Sequence, residues 1–261
     1  MQAIEVQEYG GPEVLRLVEV ATPEPAGGEV LIANQAWGIN FVDTQHRQGR
    51  PYTDRAVPFM PGIEAAGVVE AIGQGVVDVA VGDRVLHDGH YAEYTVAAAD
   101  RVVGVPDDVS LELAVTVGTQ GGTGHYLTHD AHAVGDGEWV LVHAAAGGVG
   151  RIVVAYAKAL GGRVVGATSE DAKLDDVLAA GADVAVNVTD PQYVQRVLDA
   201  TGGGCHVVYD SLGGQYFENN LRCLRERGDL VGYGLAAGGG RPLSRRSVPN
   251  GCTSTEAKAA T

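Results

Sequence analysis

Glu138-Trp-Val-Leu-Val-His143, Ala144-Ala-Ala-Gly-Gly-Val-Gly150, Arg151-Ile-Val-Val-Ala-Tyr-Ala-Lys-Ala-Leu160 and, past Gly161-Gly162, Val164 to Thr168 form one stretch whose reading decides the fold. The first segment is a short apolar run, the second a glycine turn, the third carries helical apolar spacing, and the last is a second buried strand. Glycines where a strand turns into a helix let the backbone approach a pyrophosphate closely, and the unpaired N–H groups of the helix start point at its charge. The spacing is that of G-x-G-x-x-G over Ala145, Gly147 and Gly150, with alanine in place of the first glycine. A glycine-rich turn also serves tight helix packing. The strand before it and the helix after it favour dinucleotide binding.

Composition sets the frame around this stretch. The chain has 261 residues, 45% of them hydrophobic, enough for one large or two modest domains with ample core. No apolar run approaches the ~20 residues of a membrane span, and Met1-Gln-Ala-Ile-Glu5 has no basic region followed by an apolar one, which predicts a cytoplasmic location and no membrane partner. A formal charge of −15 disfavours nucleic acid and gives extra meaning to basic side chains near the glycine turn. Cys205, Cys223 and Cys252 show no C-x-x-C spacing and read as packing residues.

Working outward, residues 1 to about 118 read as β-rich, with strands at Ala3–Gln7, Val14–Val20, Glu29–Ala36, Ala65–Ile72 and Tyr91–Val96 and one short helix, Phe41 to Gln48. From Trp139 strands and helices alternate. Helices near Asp171–Ala180, Gln192–Ala200 and Tyr216–Arg225 separate strands at Asp183–Asn187, His206–Ser211 and Asp229–Tyr233. That is an α/β pattern, a parallel doubly wound sheet of five strands, one fewer than a complete fold of this kind. Beyond Tyr233 periodicity is lost, and Ser244 to Thr261 is expected to be disordered or loosely attached.

With these segments in place the chain resembles the zinc-independent quinone oxidoreductases, ζ-crystallin-like, of the medium-chain dehydrogenase/reductase superfamily. The resemblance covers roughly residues 1 to 238. It rests on Gly10-Gly-Pro-Glu-Val-Leu15, Gly38-Ile-Asn-Phe-Val-Asp-Thr44, Pro61-Gly-Ile-Glu-Ala-Ala-Gly67, Gly82-Asp-Arg-Val85, Tyr91-Ala-Glu-Tyr94, Gln120-Gly121, Ala144 to Gly150 and Val207-Val-Tyr-Asp-Ser211. It implies a GroES-like catalytic domain over 1–118, an incomplete Rossmann NADP-binding domain over 119–238, a tail over 239–261, and reduction of a quinone by hydride from NADPH bound in the cleft between the domains. It further implies that Asn40, Asp43 and Thr44 line the nicotinamide side, with Tyr52 and Tyr126 near it. Ala146, Gly147, Gly148, Val149 and Gly150 are expected at the pyrophosphate, Ser169 and Lys173 at the adenosine ribose, and Ser211, Tyr233 and Gly234 along the far edge of the cofactor.

The residues themselves bear on the choice of cofactor. An NAD enzyme commonly ends its second strand on an acidic residue that binds the ribose 2′-OH. Here the position is Thr168, with Ser169 beside it and Lys173 one turn on, a hydroxyl and a cation for a 2′-phosphate; Glu170 and Asp171 act against this. Zinc-dependent relatives place a cysteine and a histidine where this chain has Asn40 and Ile63, and a catalytic zinc needs three protein ligands, so no metal is expected. An acceptor placed against the nicotinamide then needs only Tyr52 or solvent as proton source, although Tyr52 reads equally well as a half-buried surface tyrosine. His125, His129 and His132 fall at i, i+4 and i+7, but three positions on one helix span about 10 Å and cannot all reach one ion, which favours surface or interface histidines over a metal site. Asp43 and Arg47, at i and i+4, are expected to pair or to serve the cofactor.

Residues 239–261 match nothing in the family pattern expected there, and their composition leads to the expectation of a C-terminal truncation or a shifted reading frame. A missing sixth strand leaves the fifth as an open edge, and it weakens the homodimer that the family forms through that region. Alternatives to quinone reduction are reduction of an enone, alkenal or enoyl thioester, and a catalytically dead nucleotide-binding remnant.

Overall fold

The computed structural model describes residues 1–50 and 55–238, together with the backbone of residues 253–256. The chain divides into two compact units, Met1–Thr119 and Gln120–Thr261.

In the first unit β1 (Gln2–Val6) and β2 (Leu15–Glu19) pair antiparallel. A five-stranded antiparallel sheet follows, built from β3 (Glu29–Trp37), β4 (Ala65–Ile72), β5 (Arg84–His87), β6 (Tyr94–Ala98) and β7 (Val103–Gly104) in the order β6-β3-β4-β5-β7. Alternate residues of β3 and β4 turn Val30, Ile32 and Val69 inward onto Val85 of β5. The short helix α1 (Phe41–Arg47) leaves β3 through Gly38-Ile39-Asn40, and α2 (Leu111–Val117) packs Leu111, Ala114 and Val115 on Ala36 and Ala66. Its start is fixed by Ser110, whose hydroxyl accepts the Leu113 amide at 3.1 Å. Strands β5 and β7 and helix α2 escape a reading by alternation. They run only four, two and seven residues.

Helix α3 (Thr119–Tyr126) begins at the last residue of the first unit, and the second unit takes it on into a π-helical turn over Leu127–Ala131. It then winds β8 (Trp139–Val142), α4 (Gly148–Ala159), β9 (Arg163–Thr168), α5 (Leu174–Ala179), β10 (Val184–Asn187), α6 (Tyr193–Thr201), β11 (Cys205–Asp210), α7 (Phe217–Cys223) and β12 (Leu224–Gly232). All pairings are parallel, in the order β10-β9-β8-β11-β12. Strand β8 is buried along its whole length, as a central parallel strand covered on both faces must be. Cys205 and Cys223 are free thiols in one of the two cores, matching their reading as packing residues; Cys252 lies outside the described residues.

A sixth strand corrects the expectation of an open edge and, at residues 253–256, that of a disordered or loosely attached tail; the rest of 239–261 lies outside the described residues. Strand β13 (Thr253–Glu256) lies parallel to β12, pairing Asp229 with Thr253 through to Gly232 with Glu256. Thr-Ser-Thr-Glu carries no apolar run, so periodicity is silent there. Backbone hydrogen bonding to an existing edge recruits a strand without one.

Candidate dinucleotide site

The carboxyl ends of the parallel strands converge where the order reverses, between β8, which leads to β9 on one side, and β11 on the other. Open α/β sheets place ligands at such a switch point. His143 follows β8 there, wholly buried, with its amide on Tyr209 O at 3.1 Å and Nε2 2.6 Å from Asn220 Oδ1. Burial holds the ring below the usual histidine pKa, against the pull of Asp210 and the Asn220 hydrogen bond.

Ala144 then adopts φ 49°, a left-handed conformation rare outside glycine, and its carbonyl accepts the Gly147 amide at 2.8 Å. Gly147 caps α4 without a side chain, and the Arg151 amide returns to its carbonyl at 2.9 Å. The amides of Gly148, Val149 and Gly150 therefore have no acceptor one turn back in the helix. A Cβ at Gly150 would stand 2.2 Å from the Ala144 carbonyl oxygen. Alanine at 145, where the motif has its first glycine, is accommodated because β9 supplies the missing space. Gly166 lies opposite, and a Cβ on it would come 3.1 Å from that of Ala145 and 2.3 Å from Val177 Cγ1.

A cavity of about 210 Å³ opens on this turn, walled by Ala144, Ala146 and Gly147 on one side and by Thr168, Ser169 and Lys173 on the other. Val188 and Leu212 contribute apolar wall. The structure thus brings Ala146, Gly147, Ser169 and Lys173 around one space, with Gly148, Val149 and Gly150 opening the adjoining helix. Lys173 is not unengaged there, since its Nζ meets Glu170 Oε1 at 2.5 Å. Asp171 is drawn aside by Asn187 Nδ2 at 2.7 Å. Arg151 lays its Nε on the Ala146 carbonyl at 2.9 Å, with Nη2 3.6 Å from Asp176. Basic side chains near the turn thus include Arg151 as well as Lys173.

Ser211, Tyr233 and Gly234 gather apart from that cavity, at the ends of β11 and β12. Tyr233 N donates to Asp210 O at 2.9 Å, and a Cβ on Gly234 would meet Ser211 O at 2.7 Å. Burial pushes the Tyr233 phenol up to about 12. Tyr126 ends α3 half exposed and lines none of this space. His125 and His129 stack with ring centroids 4.0 Å apart and edge onto Tyr156, while the π turn carries His132 away to Asp229 at 2.8 Å and Glu138 at 3.1 Å.

In the first unit Asn40 caps α1, and its backbone amide donates to Asp43 Oδ2 at 2.8 Å in a reciprocal capping box. Its side-chain Nδ2 donates to Glu64 Oε1 at 2.7 Å, and Oε2 of the same carboxyl takes the Thr119 amide at 2.7 Å. Glu64 is 4% exposed and stood in the sequence only as part of a family motif. A buried carboxyl that collects donors from two loops leaves no periodic signal. Tyr91 donates its hydroxyl to Asp43 Oδ2 at 2.6 Å, and burial together with Asp43 raises its pKa well above the tyrosine range, so the phenol keeps its proton. Of the two readings for Asp43 and Arg47, mutual pairing or service to the cofactor, the pairing is not formed: Asp43 binds Tyr91 and Asn40, and Arg47 Nε goes to Gly10 O at 3.2 Å. Thr44 Oγ1 turns back to Phe41 O at 2.7 Å. Tyr52 lies outside the described residues. Among the described residues no group of three or more His, Cys, Asp and Glu is disposed to hold a metal ion.

Comparison with known proteins follows the same division. Residues 26–136 match the alcohol dehydrogenase GroES-like domain, and residues 148–254 match the zinc-binding dehydrogenase domain. The chain is 42% identical over 240 residues to the quinone oxidoreductase of Salmonella typhimurium, spanning 90% of this chain and 73% of that protein. It is 37% identical over 252 residues to the 2-haloacrylate reductase of a Burkholderia species, spanning 93% of this chain and 76% of that one. The structure of Escherichia coli quinone oxidoreductase complexed with NADPH aligns at a TM-score of 0.92 and 35% identity, over 99% of this chain and 81% of that chain. A glycine turn at the switch point of a parallel sheet, a GroES-like unit before it and this identity over most of both chains lead to one conclusion: the chain belongs to the quinone oxidoreductase family of the medium-chain dehydrogenase/reductase superfamily.

Proposed function

We propose that this chain is a cytoplasmic, NADPH-dependent quinone reductase that passes a hydride to its acceptor without a metal. The observation that carries the reading is the cradle after β8. Three consecutive amides open a helix capped by a glycine, and the space above Gly150 admits no Cβ. Such a donor set fits a diphosphate. Thr168, buried at the end of β9, presents no carboxyl to a ribose 2′-phosphate, and Ser169 adds a hydroxyl at the cavity wall. The dinucleotide supplies the hydride when bound, and the rest falls to the protein. Asn40 and Asp43 hold the Gly38–Phe41 loop through their bonds to Glu64 and Tyr91 and so shape the wall that the acceptor meets. Thr44 and Tyr126 belong to the nicotinamide side of the same reading, and Ser211, Tyr233 and Gly234 to the far edge of the cofactor. Tyr52 or solvent protonates the product. The Asn40 amide, committed to Glu64, and the apolar Ile63 replace two zinc ligands of other relatives, so polarisation of the acceptor is left to the quinone's own carbonyls.

The test is NADPH oxidation by purified protein after exhaustive chelation, with 1,2- and 1,4-quinones as acceptors and both nicotinamide cofactors titrated. Turnover with quinone, undiminished by chelator, and tighter binding of NADPH than of NADH are expected. Folded protein that takes up neither nucleotide overturns the reading. A second acceptor class is favoured by the similarity to a 2-haloacrylate reductase, which points to an activated C=C bond. Parallel assays with 2-chloroacrylate and an enoyl thioester separate the two.

A further inference from the structure

Lys173 lines the dinucleotide cavity, and a second cation, Arg151, bonds the carbonyl of Ala146, another lining residue; the two are held differently. Lys173 is tied to Glu170 at 2.5 Å, both side chains about half exposed. Arg151, in the first turn of α4, donates Nε to the Ala146 carbonyl at 2.9 Å, and its Nη2 forms a looser ion pair with Asp176 of α5 at 3.6 Å, beyond hydrogen-bond distance. Ala146 walls the same cavity as Ser169. The Nε contact therefore ties the guanidinium to a residue of the cavity wall, with Nη2 in a looser ion pair to Asp176. Both cations face a carboxylate, Lys173 at 2.5 Å and Arg151 at 3.6 Å, and the more loosely paired planar guanidinium matches a phosphate better than the tightly paired ammonium. In a chain of net charge −15, a dianionic 2′-phosphate needs such a local donor.

We propose that Arg151 is a specificity-determining residue, pairing with the 2′-phosphate of NADPH beside Ser169 and setting the preference for the phosphorylated dinucleotide more than Lys173 does. The inference rests on the nucleotide reading above. Wild-type titrations keep the two apart, because failure of wild type to bind NADPH removes that reading, whereas the inference is judged on variants of a protein that binds. Arg151→Met and Lys173→Met are to be titrated with NADPH and NADH at two ionic strengths, with Arg151→Lys as the conservative variant. For Arg151→Met, NADPH binding is expected to weaken by about 3- to 10-fold, between an exposed ion pair and a charge-assisted hydrogen bond, with NADH within about 2-fold of wild type and a shallower salt dependence for NADPH. Arg151→Lys should recover part of the loss, and Lys173→Met should change the NADPH to NADH ratio less than Arg151→Met does. Equal weakening of both nucleotides would show Arg151 to be a brace of the turn only and overturn the proposal, as would a larger ratio change in Lys173→Met.

Discussion

Replacing Gly150 with alanine puts the proposed phosphate cradle under direct test. In an ordinary helix interior the change is stabilising by about 1 kcal/mol, because alanine is the better helix former. Here the sign reverses. The new Cβ would stand 2.2 Å from the Ala144 carbonyl oxygen and 2.8 Å from both the Ala144 carbonyl carbon and Ala145 Cα, where ordinary contact begins at 3.4 Å, so the turn and the helix start must part by roughly 1 Å. All three obstacles are backbone, and none can swing away. Overpacking of this kind costs about 1–3 kcal/mol, which for a unit of this size lowers Tm by about 2–12 °C. The same displacement takes the amides of Gly148, Val149 and Gly150 off their target. Loss of one amide bond to a charged phosphate, about 1.5–3 kcal/mol, weakens NADPH roughly 10- to 150-fold. Isothermal titration with NADPH and a thermal melt followed by circular dichroism read both effects. Gly148→Ala is the internal comparison: its Cβ would meet Gln120 Oε1 at 1.9 Å, the far end of a flexible side chain, so its Tm should fall less. A Gly150→Ala protein that melts within a degree of wild type and binds NADPH within 2-fold refutes the cradle geometry.

Three further outcomes follow from the structure. Glu64→Ala strips the acceptor from the Asn40 side chain and the Thr119 amide, and should destabilise the first unit by about 2–5 kcal/mol in urea denaturation, with loss of quinone turnover; Glu64→Gln should recover part of the stability. Glu170→Gln releases Lys173 and should tighten NADPH up to about 5-fold over NADH, the limit for an exposed pair, in paired nucleotide titrations. His46, His87, His90 and His143 are all held below the ordinary histidine pKa, burial being the first cause in each. Between that lowered value and ~6.5 the unfolded chain binds protons that the folded one refuses, so the stability from these rings is complete above about pH 6.5 and is lost as pH falls through that window. Melting temperature should be level from pH 8 to 7 and decline toward pH 5; a level profile throughout refutes the assignment.

The parallel half was legible because its strands are apolar runs with helices of clear period between them, and because the Ala144 to Gly150 turn has a spacing that physical chemistry explains. What escaped was set by contacts distant in sequence. Ala145 in the place of a glycine makes sense only beside Gly166, on a different strand. Strand β13 exists through the edge of β12, and its own four residues carry no signal. The roles of Glu64 and Tyr91 come from single hydrogen bonds to Asn40 and Asp43, which alternation of polar and apolar residues does not encode. Asp43 and Arg47 have the right spacing to pair, yet each finds a better partner outside its helix, Tyr91 and Gly10. The i+7 spacing does not put His132 on the face of His125 and His129, because the helix ends at Ala131 and His132 is extended.

Strand β8 is covered on one side by β9, the next strand in the chain, and on the other by β11, which comes only after two further helices and strand β10. During synthesis on the ribosome the earlier neighbour emerges promptly, while the other edge of the most apolar strand waits for late-arriving chain. The half-built sheet is for that interval a sticky nascent intermediate. Cellular yield of this protein should therefore depend on elongation speed and on holdase chaperones more than its final stability suggests.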